Sequence, residues 1–278
     1  MNHETFFACA CPYEKARTVL FGAPYDSTAS FRPGARFAPR AMRGDSYALE
    51  TYSPYQDKDL ADCLFCDSGD MELPFGSAEP ALALIKGRAA AILADGKLPL
   101  MIGGEHLVSL GAIQAAYEHY ADLHVLHFDA HTDLRDSYLG EKLSHATVIR
   151  RAWDILGDGR IWQFGIRSGE RQEFAWAAQH TSLHKFSFAG LDTAIGQLRG
   201  QPVYFTLDMD VLDPGFLPGT GTPEAGGVDF TDLLQAIIKI STLNIVACDI
   251  VELSPPLDTS GASTALACKV LRELMLSL

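Results

Sequence analysis

Strand-length apolar runs alternate with helix-length stretches along almost the whole chain, and this alternation restricts the fold more than any single residue does. Residues 18–24, 63–67, 98–103, 123–129, 160–166, 202–210 and 244–251 read as strands, with a short further one near 182–186. Residues 39–50, 79–95, 107–120, 145–153, 170–179, 191–198, 230–241 and 261–278 read as helices. The strand runs are continuously apolar rather than alternating, which predicts a sheet covered on both faces. Strand–helix–strand order then predicts an α/β fold of three layers, helices on either side of a doubly wound, mostly parallel sheet of about eight strands. No linker, repeat or low-complexity tract interrupts the pattern, so residues 1–278 are expected to form one domain.

Composition narrows the function classes. The formal net charge is −13, which argues against nucleic acid or anionic membrane as a partner and suits a cationic substrate. No apolar stretch is long enough to span a bilayer, and residues 1–17 lack the basic and apolar regions of a secretory signal. A cytoplasmic location is expected. Cys9 with Cys11 and Cys63 with Cys66 have a spacing that a four-thiolate zinc site could use. Ordinary reduced, partly buried thiols are the expected reading, and Cys248 and Cys268 read as core.

The chemistry concentrates where two strand runs end. One closes on Asp129-Ala130-His131-Thr132-Asp133, the other on Asp208-Met209-Asp210. Side chains in a strand alternate faces with period two, so Asp129, His131 and Asp133 are expected to point one way, and Asp208 and Asp210 likewise. Clustered carboxylates at the end of an apolar sheet are costly without positive charge, and a divalent cation supplies it. A lone strand-end Asp is more often a helix cap and a lone His a satisfied core residue; the alternating set of ligand types reverses that preference. His106 adds a sixth candidate, placed after the strand run 98–102 by the turn Gly103-Gly104-Glu105. Four Asp and two His exceed what one ion needs and suit a pair bridged by carboxylates. Oxygen-rich, thiolate-free donors favour Mn²⁺. Two such ions lower the pKa of a bridging water, so metal-assisted hydrolysis by hydroxide is the expected reaction class. Two loops, 23–38 and 212–227, follow strands and are rich in Gly and Pro, which is where α/β sheets bind ligands. His124 and His127, in the same strand run as Asp129, read as core or as supports behind the ligands.

Taken in order, Gly103-Gly104-Glu105-His106, Asp129-Ala130-His131-Thr132-Asp133, Ser144-His145-Ala146-Thr147, Asp208-Met209-Asp210-Val211-Leu212-Asp213-Pro214, Gly219-Thr220-Gly221-Thr222-Pro223-Glu224 and Val251-Glu252-Leu253-Ser254-Pro255 resemble the ureohydrolase (arginase/agmatinase) family. Similarity spans about residues 18–275, and Gly22–Ser27 with Arg32–Arg40 and Glu105 is closer to the agmatinase branch. The resemblance implies an arginase/deacetylase-like fold, two Mn²⁺ per subunit and a homo-oligomer, trimeric or hexameric. It divides the ligands: His106, Asp129, Asp133 and Asp208 for one ion, and Asp129, His131, Asp208 and Asp210 for the other, with Asp129 and Asp208 bridging. It also implies that His145 shuttles protons, that Glu252 pairs with a guanidinium and that Thr222 hydrogen-bonds near it. On chemistry alone, His145 and Glu252 are equally well read as helix-terminal or capping residues.

Where arginases carry polar residues that read the amino-acid head of arginine, this chain has Leu134-Arg135-Asp136-Ser137-Tyr138. A substrate lacking that head is expected: agmatine, hydrolysed to putrescine and urea. Guanidinobutyrate, guanidine, aminopropylagmatine and arginine are the alternatives. For the ammonium tail, Asp136 or Glu141 is the expected partner. Two other classes remain open: a zinc deacetylase on a similar fold, which would not need both His106 and Asp210, and an inactive member serving as a binding subunit.

Overall fold

The predicted alternation becomes a sheet of eight strands in the computed structural model, which describes residues 5–278. In chain order the elements are β1 (Thr18–Ala23), α1 (Ala38–Ser46), β2 (Tyr52–Ser53), β3 (Lys58–Asp59), β4 (Phe65–Asp70), α2 (Ala78–Ala94), β5 (Leu98–Gly103), α3 (Ser109–His119) and β6 (His124–Phe128). There follow α4 (Val148–Leu156), β7 (Ile161–Ile166), α5 (Arg171–His180), β8 (Ser182–Lys185), α6 (Leu191–Leu198), β9 (Pro202–Asp208), α7 (Phe230–Ile240), β10 (Asn244–Val251) and α8 (Ala262–Ser277). The sheet runs β4-β1-β5-β10-β9-β6-β7-β8, and every adjacent pair is parallel. β2 and β3 form a separate antiparallel hairpin that the apolar pattern does not announce.

The continuous apolar runs arise because successive residues feed different cores. Val19, Phe21, Val125 and Tyr204 pack with Ile85 of α2, Ile113 of α3 and Ile149 of α4. Leu20, Leu126, Phe128 and Phe205 pack with Met42 of α1, Leu198 of α6, Ile237 of α7 and Leu271 of α8. Alternate side chains therefore enter opposite layers, and both layers are buried.

The structure shortens two strands at the place that matters. β6 stops at Phe128, and β9 stops at Asp208, where Met209–Val211 turns into a 3-10 helix. The Asp208 carboxylate caps that turn by accepting the Asp210 N–H at 2.8 Å. Similarly, the stretch expected as a helix from residue 145 opens as the 3-10 turn His145–Thr147, with Ser144 and Thr147 forming a capping box.

Sheet order decides where the chemistry meets. β5, β10, β9 and β6 are far apart in sequence yet adjacent in the sheet. Their carboxyl ends lie side by side, the position at which open α/β sheets bind ligands.

Candidate metal centre

Each of the four central strands delivers part of one site. His106 opens the turn after β5, Asp129 to Asp133 follow β6, Asp208 ends β9 with Asp210 in the next turn, and Glu252 follows β10 directly. His106, His131, Asp133, Asp208, Asp210, His145, Thr222 and Glu252 line one cavity of about 310 Å³. Asp129 lies fully buried beneath it. The expected cause of convergence needs correction: only Asp208 is in a strand, and the other acids reach the site through turns. Asp133 and Glu252 adopt the left-handed backbone region, with φ 52° and 65°. That region is unfavourable for these residues and is typical of functional sites.

The His106 Nδ1 atom lies 3.1 Å from Asp129 Oδ2, 3.2 Å from Asp133 Oδ2 and 3.2 Å from Asp208 Oδ2. Its other nitrogen, Nε2, is 2.9 Å from Thr206 Oγ1, whose hydroxyl donates to Asp249 at 2.6 Å. Thr206 thus accepts from Nε2–H, leaving Nδ1 as the nitrogen that faces the acids. His131 Nδ1 lies 2.9 Å from Asp210 Oδ2 and 3.5 Å from Asp129 Oδ1. Although these acids crowd the imidazoles, His106 Nδ1 and Asp210 Oδ2 are buried with no properly directed hydrogen bond. These atoms converge on shared points rather than lying along the line of a hydrogen bond.

That geometry is what a cation requires. With metal–ligand bonds of about 2.0–2.1 Å, neighbouring donors stand about 2.9 Å apart at octahedral and about 3.4 Å apart at tetrahedral angles. The His106 contacts at 3.1–3.2 Å lie between the two. Two donor groups compact enough for an ion share Asp129: His106, His127, Asp129 and Asp133 form one, and Asp129, His131 and Asp210 the other. Asp208 belongs with the first by its approach to His106. His127 belongs behind it: Gln163 Nε2 donates to His127 Nδ1 at 3.1 Å and to the Thr132 carbonyl, so His127 Nε2–H donates to Asp129 at 2.7 Å. This is the pattern of a residue that orients a ligand. His124, at the opposite end of β6, takes no part.

The electrostatics point the same way. Burial pushes the Asp208 carboxyl well above the usual carboxylate range, with Asp210 and Asp129 adding to it. Burial, then Asp129, raises Asp133 to about 7. Burial and the neighbouring Glu105 raise Glu252. Burial opposes ionisation of Asp129 too, but His127, His106 and His131 outweigh it and hold this carboxyl well down. Among the described residues, only imidazoles come within ion-pair distance of the four aspartates.

His145 donates its backbone N–H to Thr28 Oγ1 at 3.1 Å, and its Nε2 lies 3.2 Å from Ser30 Oγ. Burial lowers its imidazole to about 4, and His131 and His106 push the same way. It is therefore neutral at pH 7 and able to take a proton before passing one on. Glu252 accepts the His106 backbone N–H at 2.7 Å through Oε1. Gly221, beside Thr222, comes close to the other oxygen: a Cβ there would sit 3.8 Å from Glu252 Oε2.

Asp136 and Glu141 do not line this cavity. Asp136 is solvent-exposed and pairs with Arg151 at 2.9 Å, and Glu141 pairs through its backbone with Tyr138. The carboxylates that line the cavity beyond the cluster are Glu170 and Glu173, with Arg135 and Tyr138. Glu173 is committed to Thr132 Oγ1 and the backbone N–H groups of Leu134 and Glu170. Glu170 is more than half exposed and contacts Arg135 at 3.2 Å. Its place just after β7, at the same rim of the sheet, was the signal that could have singled it out. Cys9, Cys11, Cys63 and Cys66 are free thiols, and among the described residues none joins a metal-competent group.

A sequence profile of the arginase family matches residues 16–277. The chain is 45% identical to the agmatinase of Bacillus subtilis (strain 168), over 98% of this chain and 96% of that one. It is 32% identical to the guanidinobutyrase of Pseudomonas aeruginosa, over 92% of this chain and 85% of that one. The crystal structure of the agmatine ureohydrolase of Thermoplasma volcanium superimposes with a TM-score of 0.90 at 38% identity, covering 99% of this chain and 94% of that one.

Proposed function

The chain belongs to the arginase family, and on that premise we propose that it hydrolyses agmatine with water to putrescine and urea. The observation that carries the reaction class is the meeting of a six-donor acid and imidazole cluster with Glu252 and His145 in one cavity. Its donors fit two divalent ions, most naturally Mn²⁺: His106, Asp129, Asp133 and Asp208 would hold one, and Asp129, His131, Asp208 and Asp210 the other. Bound there, such ions supply the positive charge that lets a water ionise near neutral pH.

The remaining work falls to the chain's own groups. Glu252 keeps its Oε1 fixed on the His106 N–H and offers its charge to the planar guanidinium of the substrate. Thr222, on the same wall, hydrogen-bonds beside it. His145, neutral and held at the rim, relays a proton to the departing amine. Desolvation of this wall restricts entry to a group that brings positive charge with it.

The agmatine tail is an ammonium, and Glu170 is the cavity carboxylate with unused acceptor capacity. Arg135 lines the same wall, but Glu170, Glu173 and the Tyr138 ring at 4.5 Å engage it. That supports a cationic rather than an acidic tail. Urea release with added Mn²⁺, measured over agmatine, guanidinobutyrate, guanidine, aminopropylagmatine and arginine, tests the proposal. Agmatine should give the highest kcat/KM. Turnover confined to guanidinobutyrate would mean that Arg135 reads the tail.

A further inference from the structure

The loop between β1 and α1 touches both walls of the site, and none of the roles above uses it. Its ends are drawn together by one carboxylate. Asp26 accepts the Gly34 N–H at 2.8 Å and the Arg36 N–H at 3.2 Å, and also binds the Arg36 guanidinium. Its middle is fixed to the turn after β5. Glu105, 1% exposed, accepts the Thr28 N–H at 3.0 Å and the Thr28 hydroxyl at 2.7 Å. Behind this contact the Glu105 N–H donates to the Tyr25 carbonyl at 2.8 Å. The two backbones touch so closely that a Cβ on Gly104 would sit 2.0 Å from the Tyr25 oxygen, so only glycine fits there.

From this anchored base the loop reaches two ways. Thr28 Oγ1, having given its proton to Glu105, accepts the His145 N–H at 3.1 Å, and Ser30 Oγ lies 3.2 Å from His145 Nε2. On the other side Arg32 donates to the carbonyls of Thr220 at 2.7 Å and Gly221 at 3.2 Å, immediately before Thr222. One hydroxyl therefore joins a buried carboxylate to the backbone of the proton-carrying residue, and a second meets its ring.

We infer that Thr28 and Ser30 are positioning residues for His145, with Glu105 as the buried anchor that fixes Thr28. The inference rests on the reading of His145 as the residue that moves protons in this site. A hydrogen bond to the backbone and one to the ring fix both the base and the tip of the side chain. Small displacements of such a group are expensive in rate: about 1 Å can lose roughly a hundredfold.

The test compares Thr28→Val, Thr28→Ser and Ser30→Ala with wild type, and repeats Thr28→Val and Ser30→Ala in a His145→Ala background. His145→Ala alone should slow turnover and retain metal. Thr28→Val keeps the shape of the side chain and deletes the hydroxyl; kcat should fall about ten- to a hundredfold while KM and metal content stay at wild-type values. Thr28→Ser restores the hydroxyl and should restore kcat. Ser30→Ala should lower kcat severalfold. Both losses should vanish when His145 is already alanine. Wild-type kcat in Thr28→Val, or the same fractional loss with and without His145, would overturn the inference. Crystal structures of Thr28→Val and Thr28→Ser give a reading independent of turnover. The His145 ring should leave its place in the valine variant only, and an unmoved ring refutes the inference even if the wild-type protein hydrolyses no guanidine. Absence of urea release by wild type, with the ring moving as expected, instead counts against the proposed reaction.

Discussion

Two groups of acids on the same sheet, one on an edge strand and one at the carboxyl rim of its centre, are treated in opposite ways. At the edge strand β4, Asp67 and Asp70 meet Arg43, whose guanidinium holds Asp67 at 2.7 and 2.9 Å and also binds Asp70. Asp67 further accepts the Phe6 and Gly69 N–H groups. The chain carries its own cation there, and the cluster is closed. At the centre, the ion-pair partners of Asp129, Asp133, Asp208 and Asp210 among the described residues are imidazoles alone, and burial holds Asp133 and Asp208 above the normal carboxylate range. A buried acid with a guanidinium is architecture, whereas buried acids left without one mark a place prepared for a cation from outside.

The comparison breaks most visibly at the centre. Asp208→Ala and His131→Ala should each lose bound metal and all urea release, checked by elemental analysis after desalting and by turnover. At the edge, Arg43→Met strands a buried carboxylate and should lower stability by about 3–5 kcal/mol, read by denaturant unfolding. Metal content and kcat should not change; lost metal there would join the two clusters functionally. Glu252→Gln separates charge from shape, since the amide oxygen can still accept the His106 N–H. It should keep the metal and lose roughly a hundredfold or more in kcat/KM, and wild-type activity would remove Glu252 from its guanidinium role.

The smallest effect is on pH. Burial raises Asp133 to about 7 and Glu105 to about 8, and moves Asp208 and Glu252 in the same direction. His106 and His131 are raised as well, because their carboxylate neighbours outweigh burial. All of these hold protons more tightly folded than unfolded, so their contribution to stability is present at low pH and fades as pH rises through the folded values. The metal-free protein should therefore melt at a lower temperature at about pH 8 than at about pH 6.5, over a window set by these groups. Metal needs deprotonated ligands, so added Mn²⁺ should raise the melting temperature more at about pH 8. A flat metal-free profile would mean that the central acids are neutralised by something other than the ion.

Much of this was legible in the residues. Continuous apolar runs forecast the doubly covered parallel sheet, and all eight strand positions of the main sheet fall on or beside the expected runs. The proposed donors His106, Asp129, His131, Asp133, Asp208 and Asp210 stood out because chemistry-bearing residues closed apolar runs. Sequence could not supply strand order, and only the adjacency of β5, β10, β9 and β6 explains why four distant segments meet. Nor could it show that Asp210 and Asp133 arrive through a 3-10 turn and a left-handed residue, since both depend on backbone packing. Asp136 and Glu141 were the nearest acids in sequence to the Asp129–Asp133 run, but Arg151 pairs with Asp136 and Glu141 is exposed beside its bridge to Tyr138. Asp67 and Asp70 look in sequence much like the central acids; Arg43, 24 residues away from Asp67, is the cation that tells them apart.

The most direct test is an anomalous-difference map at the manganese edge from crystals grown with Mn²⁺. Two peaks are predicted, one within bonding distance of His106 Nδ1, Asp129, Asp133 and Asp208, the other of His131 Nδ1, Asp129, Asp208 and Asp210. A map with no peak at this rim, or with manganese held elsewhere on the chain, would contradict the account.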